Sequence, residues 1–135
     1  MFYICMMSDA IENNQYNIHL DVKFGHQEQI NLPEFIKNEV NHHWFNQTLT
    51  RVNDSVVRVG VFEEGEFHWH KHDNDDEFFF VLEGKFMIDL EDKTIELNPW
   101  QGATITKGVM HRPRAIGAKT VVLMVETASI VPTGD

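Results

Sequence analysis

Histidine and glutamate residues are concentrated in one short stretch of the sequence, FHWHKHDNDDEFFFVLEG, at residues 67–84. His68, His70 and His72 occupy alternate positions, so in a strand their imidazoles project from one face. The backbone between His68 and His72 spans roughly 13 Å, too far for both side chains to bind one ion. A neighbouring pair of histidines together with Glu77 would suit a divalent transition metal such as Fe, Mn, Ni, Co, Cu or Zn.

The turn after the histidines decides which pair meets the glutamate. If residues 73–76 form a hairpin loop, His72 lies opposite Glu77 and His70 lies one diagonal step away. In this register His68 is out of reach. We therefore predict His70, His72 and Glu77 as metal ligands on one face of the hairpin.

Apolar residues of the same and later strands predict a pocket behind the metal. Phe79 and Val81 alternate with Glu77 and share its face, whereas Phe78, Phe80 and Leu82 should pack elsewhere in the core. The residues predicted to line a substrate pocket are Phe79, Val81, Met87, Ile105 and Met124.

A fourth ligand would come from a distant strand, and His111 in TKGVMHRP is the remaining candidate. A turn at Lys107 and Gly108 precedes it, and Pro113 is expected to end regular pairing just after it.

A general base beyond the ligands is not evident in the sequence. The charged residues on predicted strands, Arg58, Lys85 and Asp89, are expected to face solvent. Tyr3 and Tyr16 fall in a predicted N-terminal arm, which removes them from consideration as proton donors.

The composition indicates one globular domain outside the nucleic-acid-binding and membrane classes. The chain has 135 residues, 42% of them hydrophobic, and a formal net charge of −10. That charge repels phosphate polymers and anionic membrane surfaces. Cys5 is the only cysteine, and the opening MFYICMMSDA lacks the basic start of a secretory signal, so we expect a cytoplasmic protein without disulfides.

The order of predicted elements indicates an all-β domain. Residues 1–30 are polar and patternless and predict a flexible arm, followed by a domain over residues 31–135 with a short helix at 33–43. Between residues 55 and 130, short β-branched or aromatic runs alternate with turn sequences, as in a β-sandwich or small barrel. The predicted strands are VVRVGVF, EFHWHKH, EFFFVL, KFMIDL, KTIEL, GATITK and TVVLMVE.

Two segments resemble the paired motifs of the cupin superfamily. The first motif, G-x5-H-x-H-x(3,4)-E-x6-G, is matched through His70, His72, Glu77 and Gly84; GATITKGVMHRP resembles the second motif through Gly102, Gly108 and His111. The chain is most similar to small single-domain bacterial cupins labelled mannose-6-phosphate isomerase-like. It departs from the motifs in the spacing of Gly65, in Thr106 where proline is usual, and in Ala115 where asparagine is usual.

The resemblance implies a double-stranded β-helix, or jelly roll, with a metal centre of three histidines and one glutamate in the barrel mouth. It thereby implies His111 as the fourth ligand. His68 has no counterpart in the motif; it would support a ligand, lie at the lip of the site or have no role.

These features predict a metal-binding cupin that acts on or binds a small organic molecule. Dioxygenase-like chemistry is favoured slightly, because metal and oxygen then perform the difficult steps. The alternatives are a non-catalytic ligand-binding or sensing barrel, a sugar-phosphate isomerase-like enzyme, and a metal-free barrel. Exposed strand edges further predict a homodimer in which the arm or first strand takes part.

Overall fold

The computed structural model describes residues 16–135, which form eight strands and one helix. The strands are β1 (Ile18–His19), β2 (Phe45–Val52), β3 (Ser55–Phe62), β4 (Gly65–Glu66), β5 (Glu77–Leu90), β6 (Thr94–Leu97), β7 (Gly102–Ile105) and β8 (His111–Thr127). They form one sheet in the order β1-β2-β3-β8-β5-β6, with β4 beside β8 and β7 beside β5. Only β1 and β2 pair in parallel, and the architecture confirms the predicted all-β jelly-roll class.

The helix α1 (Leu32–Glu39) packs against the sheet through one buried side chain. Its start is capped by Asn31, whose Oδ1 accepts a hydrogen bond from the Glu34 backbone N–H at 3.1 Å. Val40 adopts an extended conformation, so the helix ends before residue 43, its predicted boundary. Phe35 is buried in a cluster with side chains of β2 and β3, and this contact holds the helix on the barrel.

The two long strands β5 and β8 pair along most of their length. Glu77 lies opposite Glu126 at one end of this ladder, and Leu90 lies opposite His111 at the other. The register shifts around Gly84, which has a φ of +82° and where an added Cβ would lie 2.4 Å from a carbonyl oxygen of β8. Glycine at this position therefore lets the two strands approach and bend together.

Alternate residues of β5 fill the barrel interior. The largest core cluster includes Phe79, Val81, Phe86 and Ile88 of β5 with Val122 and Met124 of β8. Phe78 and Phe80 lie on the other face of β5 and are only half-buried, with Phe80 beside the exposed Trp100. The prediction that these two phenylalanines pack in the core was therefore wrong, because among residues 16–135 they face away from both core clusters.

Two strand predictions differ from the structure. The predicted strand EFHWHKH is not continuous. Its first residue, Glu66, belongs to β4, and His70 makes an isolated bridge to His111. Strand β2 was not predicted, because its central residues are polar although they are buried. Each difference arises where a polar sequence is held by a distant partner strand.

The chain does not leave regular pairing at Pro113. This residue lies within β8, opposite Ile88 of β5, and its carbonyl accepts a hydrogen bond from the Phe67 N–H at 2.8 Å. Proline lacks only the backbone N–H donor, so its carbonyl oxygen can still accept a hydrogen bond within the sheet. The expected end of the strand at Pro113 was therefore wrong.

Part of the predicted N-terminal arm pairs with the barrel. Residues 1–15 lie outside the described residues, whereas Ile18–His19 pair in parallel with residues 46–47 of β2. The chain thus covers part of the β2 edge itself. The homodimer stays a prediction.

Within residues 16–135 no helix has the length and apolar character needed to cross a membrane.

Asp89 is held by two arginines on the barrel surface. The expectation that Arg58, Lys85 and Asp89 face solvent was wrong for Arg58 and Asp89, which are 2% and 6% exposed. Arg114 Nε donates to the Asp89 carboxylate at 2.7 Å, and Arg112 Nη2 donates to it at 3.0 Å. Hydrogen bonding by Arg114, then by neighbouring groups that include Arg112, holds the pKa of Asp89 well below its usual range.

Replacing Asp89 by asparagine is expected to lower the free energy of unfolding by about 1–2 kcal/mol at neutral pH, because it removes a charged hydrogen-bond partner. Since the pKa of Asp89 is depressed in the folded protein, the stabilisation by its carboxylate is fully present above the ordinary carboxyl pKa. This stabilisation is lost as the pH falls below about 4. Urea unfolding across this range measures the difference, with the exposed Asp92→Asn as control. A deficit that persists unchanged on acidification would contradict the ion-pair account.

Candidate metal centre

Three parts of the chain bring three histidines and one glutamate together. His70 and His72 lie in the loop before β5, Glu77 is the first residue of β5, and His111 is the first residue of β8. All four side chains are buried, and one ligand atom from each lies within 4.8 Å of the others. The structure therefore assembles the four residues predicted as ligands.

The backbone that brings the histidines to the glutamate is not the predicted hairpin. His70 exchanges backbone hydrogen bonds with His111, at 2.8 and 2.9 Å, while β5 pairs with β6, β7 and β8. In the intervening loop, Asp76 Oδ1 accepts a hydrogen bond from the Lys107 N–H at 2.9 Å. The predicted register was wrong because a long-range partner, β8, replaces the local one.

Backbone carbonyls orient two of the imidazole rings. His70 Nδ1 donates to the carbonyl of His68 at 2.9 Å, and His111 Nδ1 donates to the carbonyl of Val109 at 2.9 Å. Each ring is thereby held in the tautomer whose Nε2 carries no proton. Both Nε2 atoms are therefore available as ligands, the arrangement found for histidines that bind metals.

The protonation states of the cluster match those of a metal site. Burial lowers the pKa of His70 to about 4. Burial alone would raise the pKa of Glu77, but His111, His72 and the Glu126 carboxyl hold it well below its usual range. The chain thus presents a neutral imidazole and an ionised carboxylate, the states that metal binding requires.

Several polar atoms in the cluster have no partner from the chain. Neither nitrogen of His72, nor Glu77 Oε1, nor His111 Nε2 has a hydrogen-bond partner among the described residues. The Nε2 atoms of His72 and His111 lie 3.4 and 3.6 Å from Glu77 Oε1. Buried polar atoms without partners are costly, and a divalent cation among them would satisfy one nitrogen of His72 together with Glu77 Oε1 and His111 Nε2, so the residues fit a metal.

A second buried carboxylate, Glu126, adjoins the cluster and was not predicted. It lies opposite Glu77 in the β5–β8 ladder, and burial, followed by the charge of Glu77, raises the pKa of Glu126. Arg58 Nε lies 3.2 Å from Glu126 Oε1, and the same guanidinium donates to Thr48 Oγ1 and to Asn46 Oδ1. A buried polar network therefore extends from the cluster through Glu126 to β3 and β2.

The sequence carried a signal for Glu126. Val122, Met124 and Glu126 follow each other at two-residue spacing, so they project from the same face of β8. The first two are core residues, which indicates that the glutamate also points inward. No equally clear signal existed for Arg58, because residues on both faces of β3 are buried.

His68 lies outside the four-residue cluster and joins the two ends of the described chain. Its Nε2 donates to the Thr133 carbonyl at 2.6 Å, and the Tyr16 hydroxyl donates to its Nδ1 at 3.1 Å. The main chain of His68 also holds the His70 ring through the carbonyl described above. His68 therefore supports a ligand and lies between the arm and the C-terminal tail.

A small pocket with a cavity volume of about 40 Å³, partly open to solvent, adjoins His70 and Glu77. Six aromatic side chains line it: Tyr16, Trp44, Phe62, Phe67, Phe79 and Phe86. Of the five residues predicted for the pocket, Phe79 and Met124 line it, whereas Val81, Ile105 and Met87 do not. Tyr16 lines it although it belongs to the predicted arm.

The three other predicted pocket residues lie elsewhere for two reasons. Val81 and Ile105 share the inward direction of Phe79 but are enclosed within the core cluster. Met87 lies between the buried Phe86 and Ile88, so its side chain leaves the opposite face of β5.

Gly134 packs against a ligand. Its φ is +97°, and an added Cβ would lie 2.6 Å from the Cβ of His70. Gly134→Ala is therefore expected to displace His70 and to weaken metal binding by about 10–100-fold, as do changes to groups that support ligands. Competition with a chelator measures the affinity.

The matched control for this substitution is Gly117→Ala. Gly117 also has a positive φ, +89°, but an added Cβ there would meet no atom within 4 Å. It reproduces the backbone strain without the contact to a ligand. Equal losses of metal affinity in the two variants would contradict the proposed displacement of His70.

Sequence comparison identifies relatives of this chain. A family model described as "Cupin domain" matches residues 57–126. The uncharacterised protein YdbB of Bacillus subtilis (strain 168) is 45% identical over 92 residues, which are 67% of this chain and 80% of YdbB. Protein SchB of Streptomyces halstedii is 35% identical over 89 residues, which are 65% of this chain and 64% of SchB.

Solved structures show the same fold. A cupin-2 domain containing protein from Shewanella frigidimarina has a TM-score of 0.67 and 33% identity, over 73% of this chain and 93% of that one. KdgF from Halomonas sp. has a TM-score of 0.57 and 19% identity, over 62% of this chain and 76% of that one, a likeness of fold alone. Since the matched domain covers more than half of the chain and contains all four clustered residues, the protein belongs to the cupin family.

Proposed function

We propose that this protein is a metal-dependent cupin that transforms a small organic molecule in the pocket beside His70 and Glu77. The observation that carries the proposal is the buried cluster whose ligand atoms lack partners from the described chain. One divalent transition metal would be held by His70, His72, Glu77 and His111. When bound, such an ion supplies Lewis acidity and, if redox-active, access to oxygen chemistry.

The chain's own groups would prepare the site for an oxygen-containing ligand. With neutral imidazoles, the Glu77 carboxylate offsets only part of a divalent charge, so an oxygen donor of the substrate is attracted. The aromatic walls lower the local dielectric constant, which strengthens this attraction.

Oxygen chemistry on an apolar substrate fits this pocket better than isomerisation of a sugar phosphate. Among the described residues that line the pocket there is neither lysine nor arginine to bind a phosphate group. Six of the fourteen residues that line it are Phe, Tyr or Trp instead. We therefore infer dioxygenase-like activity ahead of sugar-phosphate isomerisation.

A second candidate function is ligand sensing without turnover. Tyr16 from the arm and Pro132 from the C-terminal tail both line the pocket. A ligand would therefore contact both ends of the described chain and alter their packing. A partner protein could then read this change at the surface.

Metal analysis of the purified protein tests the proposal. We expect one divalent transition metal ion per chain, followed by oxygen uptake with some members of a panel of diketones, thiols and small phenols. Binding of a panel member without turnover would favour the sensing function. Failure to retain any divalent metal, even after reconstitution, would overturn the metal-dependent function.

A further inference from the structure

The walls of the pocket favour a flat ring. The ring centroids of Tyr16 and Phe67 lie 4.1 Å apart, and those of Trp44 and Phe62 lie 4.7 Å apart, so the walls are made of packed aromatic faces and edges. Aromatic surfaces of this kind bind other rings through stacked or edge-to-face contacts. Sugars, whose hydroxyl groups each require a polar partner, gain less from such walls.

One polar group of the pocket has a hydrogen-bond acceptor that lacks a donor. Glu126 lines the pocket, is 4% exposed and has an oxygen, Oε2, that no donor from the described residues reaches. Its other oxygen, Oε1, faces Arg58 at 3.2 Å. The adjacent Glu77 is a carboxylate as well. A ligand with a hydroxyl or amine group would satisfy Oε2, whereas an anionic group placed at this oxygen would meet a carboxyl group with neither lysine nor arginine among the described residues of the lining.

We propose that the pocket binds a small, uncharged aromatic molecule that donates a hydrogen bond from a hydroxyl or amine group to Glu126. The inference rests on the proposed function, because the bound ring would lie beside the metal cluster. It adds to that function the class of ligand and the residue that recognises its polar group. Sugar phosphates fall outside this class.

Calorimetric titration of the purified full chain with three probes tests the ligand class. Phenol carries the ring and the donor, anisole has the ring without the donor, and glucose 6-phosphate represents the excluded class. Phenol is expected to bind about 10-fold more tightly than anisole, the effect of one hydrogen bond to a buried acceptor. Glucose 6-phosphate is expected neither to bind nor to displace phenol.

Glu126→Gln tests the recognising residue. Arg58 would retain the amide oxygen of the glutamine, so its NH2 group would replace Oε2; it can donate a hydrogen bond to the oxygen of phenol or of anisole but accepts none. The affinities for phenol and for anisole should therefore become equal. Glu83→Gln, at an exposed glutamate paired with Lys119, is the matched control and should change neither.

Three results would overturn the inference: equal affinities for phenol and anisole in the unaltered protein, displacement of phenol by glucose 6-phosphate, or equal weakening of both aromatic probes by Glu126→Gln. The comparison of phenol with anisole in the unaltered protein tests the ligand class even if the Glu126→Gln variant does not fold. Repeating the titrations after metal removal with EDTA separates the contribution of Glu126 from that of the metal.

Metal content, measured on the same samples, separates this inference from the proposed function. A protein that prefers phenol over anisole but retains no metal would overturn the function and leave the ligand class standing. A metal-loaded protein that binds glucose 6-phosphate in preference to phenol would overturn the ligand class and leave the metal-dependent function standing.

Discussion

Glu77→Gln is expected to abolish metal retention, with affinity reduced by more than ~100-fold, beyond the usual effect of groups that only support ligands. The substitution removes the only anionic member of the cluster. It also places an amide where His72 and His111 converge on Oε1. Metal content after dialysis and competition with a chelator measure the loss, and circular dichroism establishes that the barrel still folds.

His68→Ala is the control for this prediction. His68 lies outside the cluster, and the carbonyl that orients His70 belongs to the main chain, so it remains after the substitution. Metal affinity should fall by less than about 10-fold, below the loss typical of supporting groups. Equal losses in the two variants would refute the assignment of the ligands.

Arg58→Ala is expected to cause the largest loss of stability, about 3–5 kcal/mol, because it leaves the buried Glu126 without its cationic partner. Arg58 is 2% exposed, and its guanidinium also donates to Thr48 Oγ1 at 2.6 Å. Urea unfolding measures the free energy difference.

A double variant, Arg58→Met with Glu126→Leu, separates burial of an unpaired charge from loss of packing. Removing both charges leaves no uncompensated ion, so the double variant should be more stable than Arg58→Ala alone. If it is instead destabilised by the sum of the two single substitutions, the ion pair does not account for the loss. Arg51→Ala, at an exposed arginine of β2, controls for the general effect of the substitution.

Much of the fold was predictable because it depends on local alternation. The alternation in EFFFVL and KFMIDL placed Phe79 and Val81 inside the barrel, and the turn sequences separated most strands. The single strand β5, which joins both runs, was not evident, because Glu83 and Gly84 separate the two apolar runs in the sequence. In the structure Gly84 permits a bend within a continuous strand.

The identities of the clustered residues were easier to predict than the backbone that supports them. Residue type and spacing marked His70, His72 and Glu77, but the partner of His70 is His111 on β8, far away in sequence. Local hairpin reasoning has no access to such a pairing. For the same reason Arg58 was assigned to solvent, although its partner Glu126 lies on the neighbouring strand.

The connection of both chain ends through His68 has a consequence for the interpretation of natural variation. Tyr16, Thr133 and Gly134 contact no metal, yet each touches His68 or His70. Sequence drift in these terminal segments would therefore alter metal affinity while every ligand stayed the same. Homologues that share the two motifs but differ at their ends should diverge in metal occupancy before they diverge in fold.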